Sequence, residues 1–366
     1  MESITFNCKV ITPMFLAGAD GRTPELRAPS VKGAMRFWWR AMNGHLVEKK
    51  DGKWDYSKLK EEEGKIFGDT KRRSSFSIVV EEVSSMEEFE FNTEFSPEIQ
   101  YFQYSLVHHN DRKGIKPGFR FDINISAFNR EALKEAAYLL WVLSHYGGLG
   151  TRARRGAGGF SIKHEYDKDR INGLEFLDET PLSIGLPKAS KNGNAQDYSS
   201  ISSGTSGFIH GPGFSTWEEA IKDIAKRMMQ VRDGKTVQRI KRLPRGQSAF
   251  KQKDLDKKAA FGLPINVFGG GMVNLENKNE NGDYKEARRA SPVYISITKI
   301  ERAYHWTALF LEGKFMLEDS KIVFKEKEWP KEDNSLLMEF KNKLEAGTED
   351  AFSHDEESSV KKIEIS

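Results

Sequence analysis

The stretch Gly147-Gly148-Leu149-Gly150-Thr151-Arg152-Ala153-Arg154-Arg155-Gly156-Ala157-Gly158-Gly159-Phe160 separates an apolar run from a short strand-like one, and its reading decides the fold. Six glycines in these fourteen residues permit positive φ and close approach of a second backbone. Three arginines with no acid among them supply planar, permanently charged forks suited to phosphate oxygens. Upstream, Asn129 is placed to cap a helix over 130–146, with Gly147 as its stop. From Tyr138 to Leu143 that helix is apolar nearly all round, so it is expected to be buried. Downstream, 159–164 reads as a strand. Helix, cationic glycine-rich loop and strand in succession predict an α+β fold whose loop holds an extended polyanion, and RNA is the expected partner.

Toward the N-terminus, residues 3–11 alternate, with Ile4, Phe6, Cys8 and Val10 facing one way, as in a half-buried strand. Ser30 is a candidate cap for a helix to about Met42. On it Lys32, Arg36 and Arg40 recur every fourth residue as a basic stripe, opposite Ala34, Phe37, Trp38 and Ala41. Trp39 sits about 100° from Trp38 around the helix, which leaves core packing, partner contact and base stacking all open for it. Residues 48–65 are charged and loop-like, 74–83 reads as a strand, and 99–107 and 119–127 continue the β pattern. The order over 3–165 is strand, helix, strand, strand, helix, strand. That is the split βαβ order shared with the RRM class of RNA binders.

A length of 366 residues suits two domains or three. The expected division is 1–170, 171–346 and an acidic, disordered tail over 347–366. In the second part, 217–229 reads as a helix, 261–268 as an apolar run, 292–300 and 304–311 as strands, and 333–344 as a helix. Residues 274–286 are expected to form a mobile insertion. The formal net charge of +3 hides a strong separation. Lys222 to Lys258 holds 13 Lys or Arg against 4 Asp, and Glu345 to Ser366 holds 7 acids against 2 Lys. Within the basic segment, Lys241 and Arg242 are candidate phosphate contacts, as are Gly148 and Gly150 of the loop, Arg40 of the helical stripe and, by stacking, Trp39. Cys8, the single cysteine, excludes an internal disulfide framework and suits a reducing cytoplasm. No apolar run is long enough for a membrane span.

Five blocks carry a family likeness. They are Glu25-Leu26-Arg27-Ala28-Pro29-Ser30-Val31-Lys32-Gly33-Ala34-Met35-Arg36-Phe37-Trp38-Trp39-Arg40; Ile66-Phe67-Gly68 with Arg72-Arg73-Ser74; the Gly148–Phe160 loop; Ala260-Phe261-Gly262-Leu263-Pro264-Ile265; and Arg288-Arg289-Ala290-Ser291-Pro292-Val293-Tyr294-Ile295. In this order, over roughly residues 1–300, the chain resembles RAMP-superfamily proteins. Among them it resembles the family of the RAMP subunit numbered first in the Cmr complex, the type III-B CRISPR effector of antiviral defence. The resemblance implies two ferredoxin-like domains and a non-catalytic RNA-binding subunit near the crRNA 3′ region. Its implied partners are crRNA, target RNA and the other Cmr subunits, neighbouring RAMP proteins included. Its implied contacts are Arg27, Lys32, Arg36, Arg72, Arg73, Arg152, Arg154, Arg155, Arg288 and Arg289, made mainly to backbone phosphates.

The rival expectation is a metal-independent RAMP endonuclease, for which Asp20 and the adjacent His108 and His109 are the candidate acid and base. Asp20 lies in Gly-Ala-Asp-Gly, equally a turn sequence. No cysteine pair or His-Glu-x-x-His is present, so neither a metal nor a cofactor is expected. The glycine cluster follows a helix rather than a strand, unlike a dinucleotide fingerprint.

Overall fold

The computed structural model describes residues 1–107, 112–168, 171–185, 198–233, 255–262, 265–267, 271–278, 281–313, 320–324, 327–329, 333–346 and 360–363. Its architecture is mixed α and β with antiparallel sheets. The first sheet holds β1 (Glu2–Val10), β2 (Phe76–Glu82), β3 (Arg120–Ala127) and β4 (Phe160–Glu165), in the spatial order β2-β3-β1-β4. Helix α1 (Ala28–Met42) connects β1 to β2, and α2 (Arg130–Tyr146) connects β3 to β4. The second sheet repeats this connectivity with β5 (Ser206–His210), α3 (Trp217–Asp233), β6 (Val293–Ile300), β7 (Ala303–Phe310), α4 (Ser335–Ala346) and β8 (Val360–Ile363). Its spatial order is β6-β7-β5-β8.

The apolar girth of α2 has its cause here. One side packs on β1, β3 and β4, and the other on β6 and β7 of the second sheet. The helix is thus an internal layer shared by both sheets, and Leu139, Leu140, Trp141, Val142 and Leu143 are all fully buried. The second sheet carries α2 on one face and α3 with α4 on the other, so every residue of β5 is buried. At its centre Ser296 and Thr307 satisfy each other at 2.6 Å, and Ser296 also donates to the carbonyl of His145 in α2 at 3.3 Å. Asn129 caps α2 as expected, accepting the Glu131 amide at 2.9 Å.

Several elements differ from the sequence reading. Residues 48–65 hold a hairpin (Glu48–Lys50 with Lys53–Asp55) and the start of a helix, Ser57–Phe67, rather than loop. Helix α1 begins at Ala28, with Arg27 in the extended cap position and Pro29 in the first turn, so Ser30 is inside the helix. Residues 99–107 are helical, in Pro97–Phe102 and Tyr104–Val107. Pro97 fixes the first turn there, and a short apolar run alone does not separate strand from buried helix. The expected insertion at 274–286 falls largely on Gly271–Lys278 and Tyr284–Ala287, which pair with each other. With Ile265–Val267, Ser320–Phe324 and Lys327–Trp329 they build a third sheet. Residues 360–363, within the tail expected to be disordered, are the edge strand β8, held against β5 from His210 to Gly207. Among the described residues, no helix is long and apolar enough to cross a membrane.

Candidate nucleic-acid interface

The glycine-rich loop closes onto the segment after β1 on one side and onto β6 on the other. Leu149 and Gly158 bond across its neck at 2.9 Å, and Thr151 and Gly158 donate to the carbonyls of Phe15 and Pro13. A Cβ on Gly150 would stand 2.3 Å from the Phe15 carbonyl oxygen, and φ is +91° there, so only glycine fits. On the far side the Gly156 amide donates to Ile295 at 2.9 Å, and Arg155 bridges Ile295 in parallel. The loop is therefore an added edge to β6. Gly148 is buried in the neck, where a Cβ would meet the Ala157 carbonyl at 2.8 Å. It serves closure, as Gly150 does.

Over this loop lies a cleft of about 700 Å³. Among the described residues five arginines line it: Arg152, Arg154 and Arg155 from the loop, Arg232 from the end of α3, and Arg289 before β6. Aromatic walls come from Phe37, Trp38, Tyr101, Phe102, Tyr104, Phe261 and Tyr294, and among the described residues no carboxylate lines it. Arg154 lies over the rings of Phe37 (4.9 Å) and Tyr294 (5.2 Å) and donates to the Ser291 carbonyl. Arg155 lies over Phe102 at 5.2 Å and donates to the Phe261 carbonyl at 3.4 Å. Arg152 donates through Nε to the Ser105 hydroxyl at 2.8 Å. Burial, then the neighbouring charges of Arg232 and Arg152, push Arg155 down to about 9, so its guanidinium stays charged near neutral pH. Burial, then Arg232, also lowers Arg152, and burial lowers Arg154. None of the three loop arginines meets a carboxylate among the described residues. Concentrated, partly desolvated positive charge favours an anionic ligand.

A second cleft of about 650 Å³ adjoins the first through Phe37, Arg154 and Arg289. It adds Arg40, Lys60 and the exposed Arg288 and, among the described residues, one acid, Glu63. That buried carboxylate holds two stripe residues at once, Arg40 through both oxygens and Arg36 at 3.2 Å. Arg36 further reaches the Phe67 and Gly68 carbonyls at 3.4 and 3.5 Å and covers the Phe67 ring. It caps the end of Ser57–Phe67, and so the Ile66-Phe67-Gly68 block is tied to the Phe-Trp-Trp-Arg block. Gly68 has φ +80°, and a Cβ there would meet the Ser74 amide at 2.7 Å, which accounts for glycine at that turn.

The remaining expected contacts are scattered. Arg27 is exposed and 3.7 Å from Glu25, Lys32 lies over the Phe76 ring at 4.9 Å, and Arg72 pairs with Asp69 at 3.4 Å. Arg73 is exposed, and Arg289 is buried. Trp39 must be corrected: it is 3% exposed, with its indole N–H on Glu135 at 2.7 Å and its ring against Phe67, so it cannot stack on a base. Lys241, Arg242, His108 and His109 lie outside the described residues. Asp20 holds its own turn, accepting the Arg22 amide at 2.9 Å, the Thr23 amide at 3.0 Å and the Thr23 hydroxyl. Those bonds, the Thr23 hydroxyl first, keep its carboxyl below the usual range, so it is no proton donor near neutrality. Among the described residues, no cluster of three His, Cys, Asp or Glu side chains could hold a metal ion.

Sequence reasoning missed the wall formed by Tyr101, Phe102 and Tyr104, because it read this stretch as a strand. It flagged the basic segment that holds Arg232 but had no signal for where that residue lies. The open face of the first sheet also differs from an RRM platform. Thr5, Asn7, Asp122 and Asn124 are partly exposed there and bond as Asn7–Asp122 and Thr5–Asn124. The face is hydroxyl- and amide-rich where an RRM places its stacking aromatics.

Comparison with known proteins agrees with this architecture. The RAMP superfamily model matches residues 7–161. "CRISPR system Cmr subunit Cmr1-1" of Pyrococcus furiosus is 28% identical over 269 residues, covering 68% of this chain and 78% of that protein. "CRISPR system Cmr subunit Cmr1-2" of the same organism is 30% identical over 185 residues, covering 44% of this chain and 96% of that protein. The apo crystal structure of Cmr1 from P. furiosus superposes with a TM-score of 0.54 at 24% identity, covering 89% of this chain and 92% of that one. A chain of the Type III-B Cmr-beta complex, bound to cognate target RNA and AMPPnP in the presence of ssDNA, gives 0.54 at 13% identity. That likeness covers 94% of this chain and 99% of the other. The chain belongs to the Cmr1 family of CRISPR Cmr subunits, within the RAMP superfamily.

Proposed function

We propose that this chain is a non-catalytic RNA-binding subunit of a type III-B CRISPR ribonucleoprotein. In this reading two ferredoxin-like units, divided near residue 170, present a guanidinium-lined cleft to the backbone of crRNA, target RNA or both. The observation that carries the reading is the cleft itself: among the described residues its lining holds five arginines and aromatic walls, and no acid. Guanidinium forks bind phosphate oxygens bidentately, and aromatic faces accept bases without regard to sequence. Contacts of this kind fix register and leave sequence reading to guide pairing. The relatives resolved in a Cmr-beta complex with cognate target RNA support the same partners, neighbouring Cmr subunits among them. The turn-holding role of Asp20 supports binding without cleavage.

The test is photo-crosslinking of 4-thiouridine-substituted single-stranded RNA to the full chain, with peptide mapping. Crosslinks at Tyr101 or Tyr104 are expected. Crosslinks confined to the open face of the first sheet would overturn the reading.

A further inference from the structure

We propose that the outer edge of β2 is a pairing surface for a second copy of this chain, whose own β2 joins it as an antiparallel strand about a two-fold axis near Ile78. The proposal is independent of the RNA-binding reading above.

The two four-stranded sheets described first have four edges, and three of them are guarded. β6 is covered by the glycine-rich loop, where Arg155 bridges Ile295. β4 carries Lys163, and the four-residue β8 carries Lys361 and Lys362, charges of the kind that discourage a further strand. β2 is the exception. Phe76-Ser77-Ile78-Val79-Val80-Glu81-Glu82 contains no lysine and no proline, and it pairs with β3 over seven consecutive residues without a bulge. Among the described residues, no strand pairs with its other side.

One bond fixes which backbone groups face that side. The Val83 amide donates to the Arg120 carbonyl at 3.0 Å, just past the end of the β2–β3 ladder. Alternation along the strand then turns the amides and carbonyls of Ile78 and Val80 away from β3, toward the open edge. Beside them, Val79 and Val83 are each 49% exposed. A β-branched strand with outward backbone groups and bare valines is a template for another strand.

Charge decides which strand fits. Arg73 stands just before β2, and Glu81 and Glu82 close it; all three are exposed and form no ion pair among the described residues. An antiparallel partner must therefore bring an acid to Arg73 and a cation to the two glutamates. β2 of a second copy does both by symmetry. With Ile78 opposite Ile78, Arg73 of each copy stands level with Val83 of the other, diagonal to Glu81 and next to Glu82. Long side chains reach such diagonal neighbours, and the arginine stem can cover Val83. A parallel copy would instead set like charges side by side. Exposed ion pairs are weak one by one, but a two-fold axis makes each of them twice. The charges select orientation and partner, while strand pairing supplies the contact. One added strand buries little surface, so a dissociation constant on the order of 10 µM is expected.

Sedimentation equilibrium of the full chain without RNA, at about 1 to 200 µM, should show monomer and dimer in exchange. Arg73→Glu and Glu81→Lys, both at exposed positions, should each weaken the dimer about tenfold at low salt. The double variant should restore it, and an equimolar mixture of the two single variants should form a heterodimer. Val79→Lys, which places a charge on the edge strand itself, should weaken pairing in the same way. A monomer throughout that range overturns the proposal. A dimer unchanged by Val79→Lys and by both reversals uses another surface and overturns it as well. A dimer weakened by the single reversals but not restored in the double variant overturns the antiparallel self-pairing.

Discussion

Gly156 donates its amide to the carbonyl of Ile295 at 2.9 Å, and the Ile295 amide returns a bond to Arg154 at 3.3 Å. The loop between α2 and β4 is thereby stitched to the edge strand of the second sheet. Loop shape and the joining of the two sheets are one structural event, and the arginines stand where the loop meets β6.

The loop's neck is sensitive to a single atom. Gly158 has φ +74°, and a Cβ there would lie 1.9 Å from the Leu149 carbonyl oxygen. Gly158→Ala is expected to cost about 2–4 kcal/mol, from left-handed strain plus displacement of backbone. Gly21→Ala, with φ +69° and open space around it, should cost only about 1 kcal/mol. Urea denaturation of both variants checks this, and equal midpoints would contradict the assignment of the neck.

Glu63 restrains Arg36 and Arg40, two of the cations that the sequence offered as contacts. Glu63→Gln removes one negative charge beside the second cleft while keeping hydrogen-bonding capacity. Stability should fall by about 1–2 kcal/mol, because a largely buried charge pairing is lost. RNA affinity should nevertheless rise about two- to fivefold at low salt, because a repelled phosphate is no longer repelled. A fall in affinity by a folded variant would remove the second cleft from the RNA path.

Acid should weaken the fold through its histidines. Burial holds His145 and His210 each down to about 4, against 6.5 for a free imidazole. The unfolded chain therefore binds more protons between pH 6.5 and 4, and stability falls as pH falls through that window. His145 alone should contribute between about 1 and 3 kcal/mol to this loss. Denaturation at pH 7.5 and 5.0 should show a smaller difference for His145→Gln than for the native chain, and an unchanged difference would rule His145 out.

Much of the first unit could be read from residues. Asn129, the all-round apolar face of α2 and the alternation of β1 are local signals, and each specified its element. The helices at Pro97–Phe102 and Tyr104–Val107 were not legible, since an apolar run of that length fits either period. Nor could sequence show that Trp39 is buried along with Trp38, because that depends on the placement of Glu135 and Phe67. The loop arginines were visible as residues. Their convergence with Arg232 and with Tyr101, Phe102 and Ser105 depends on contacts between segments distant in the chain, which composition does not encode.

The most direct test of the central claim is the affinity of the full chain for single-stranded RNA across roughly 50 to 200 mM salt, with Arg152, Arg154 and Arg155 intact or all changed to Gln. The cleft predicts a linear fall of log affinity with log salt, at about −0.7 per phosphate neutralised, and a slope shallower by about two for a folded triple variant. Native affinity indifferent to salt, or a folded triple variant with the native slope and Kd, would contradict it.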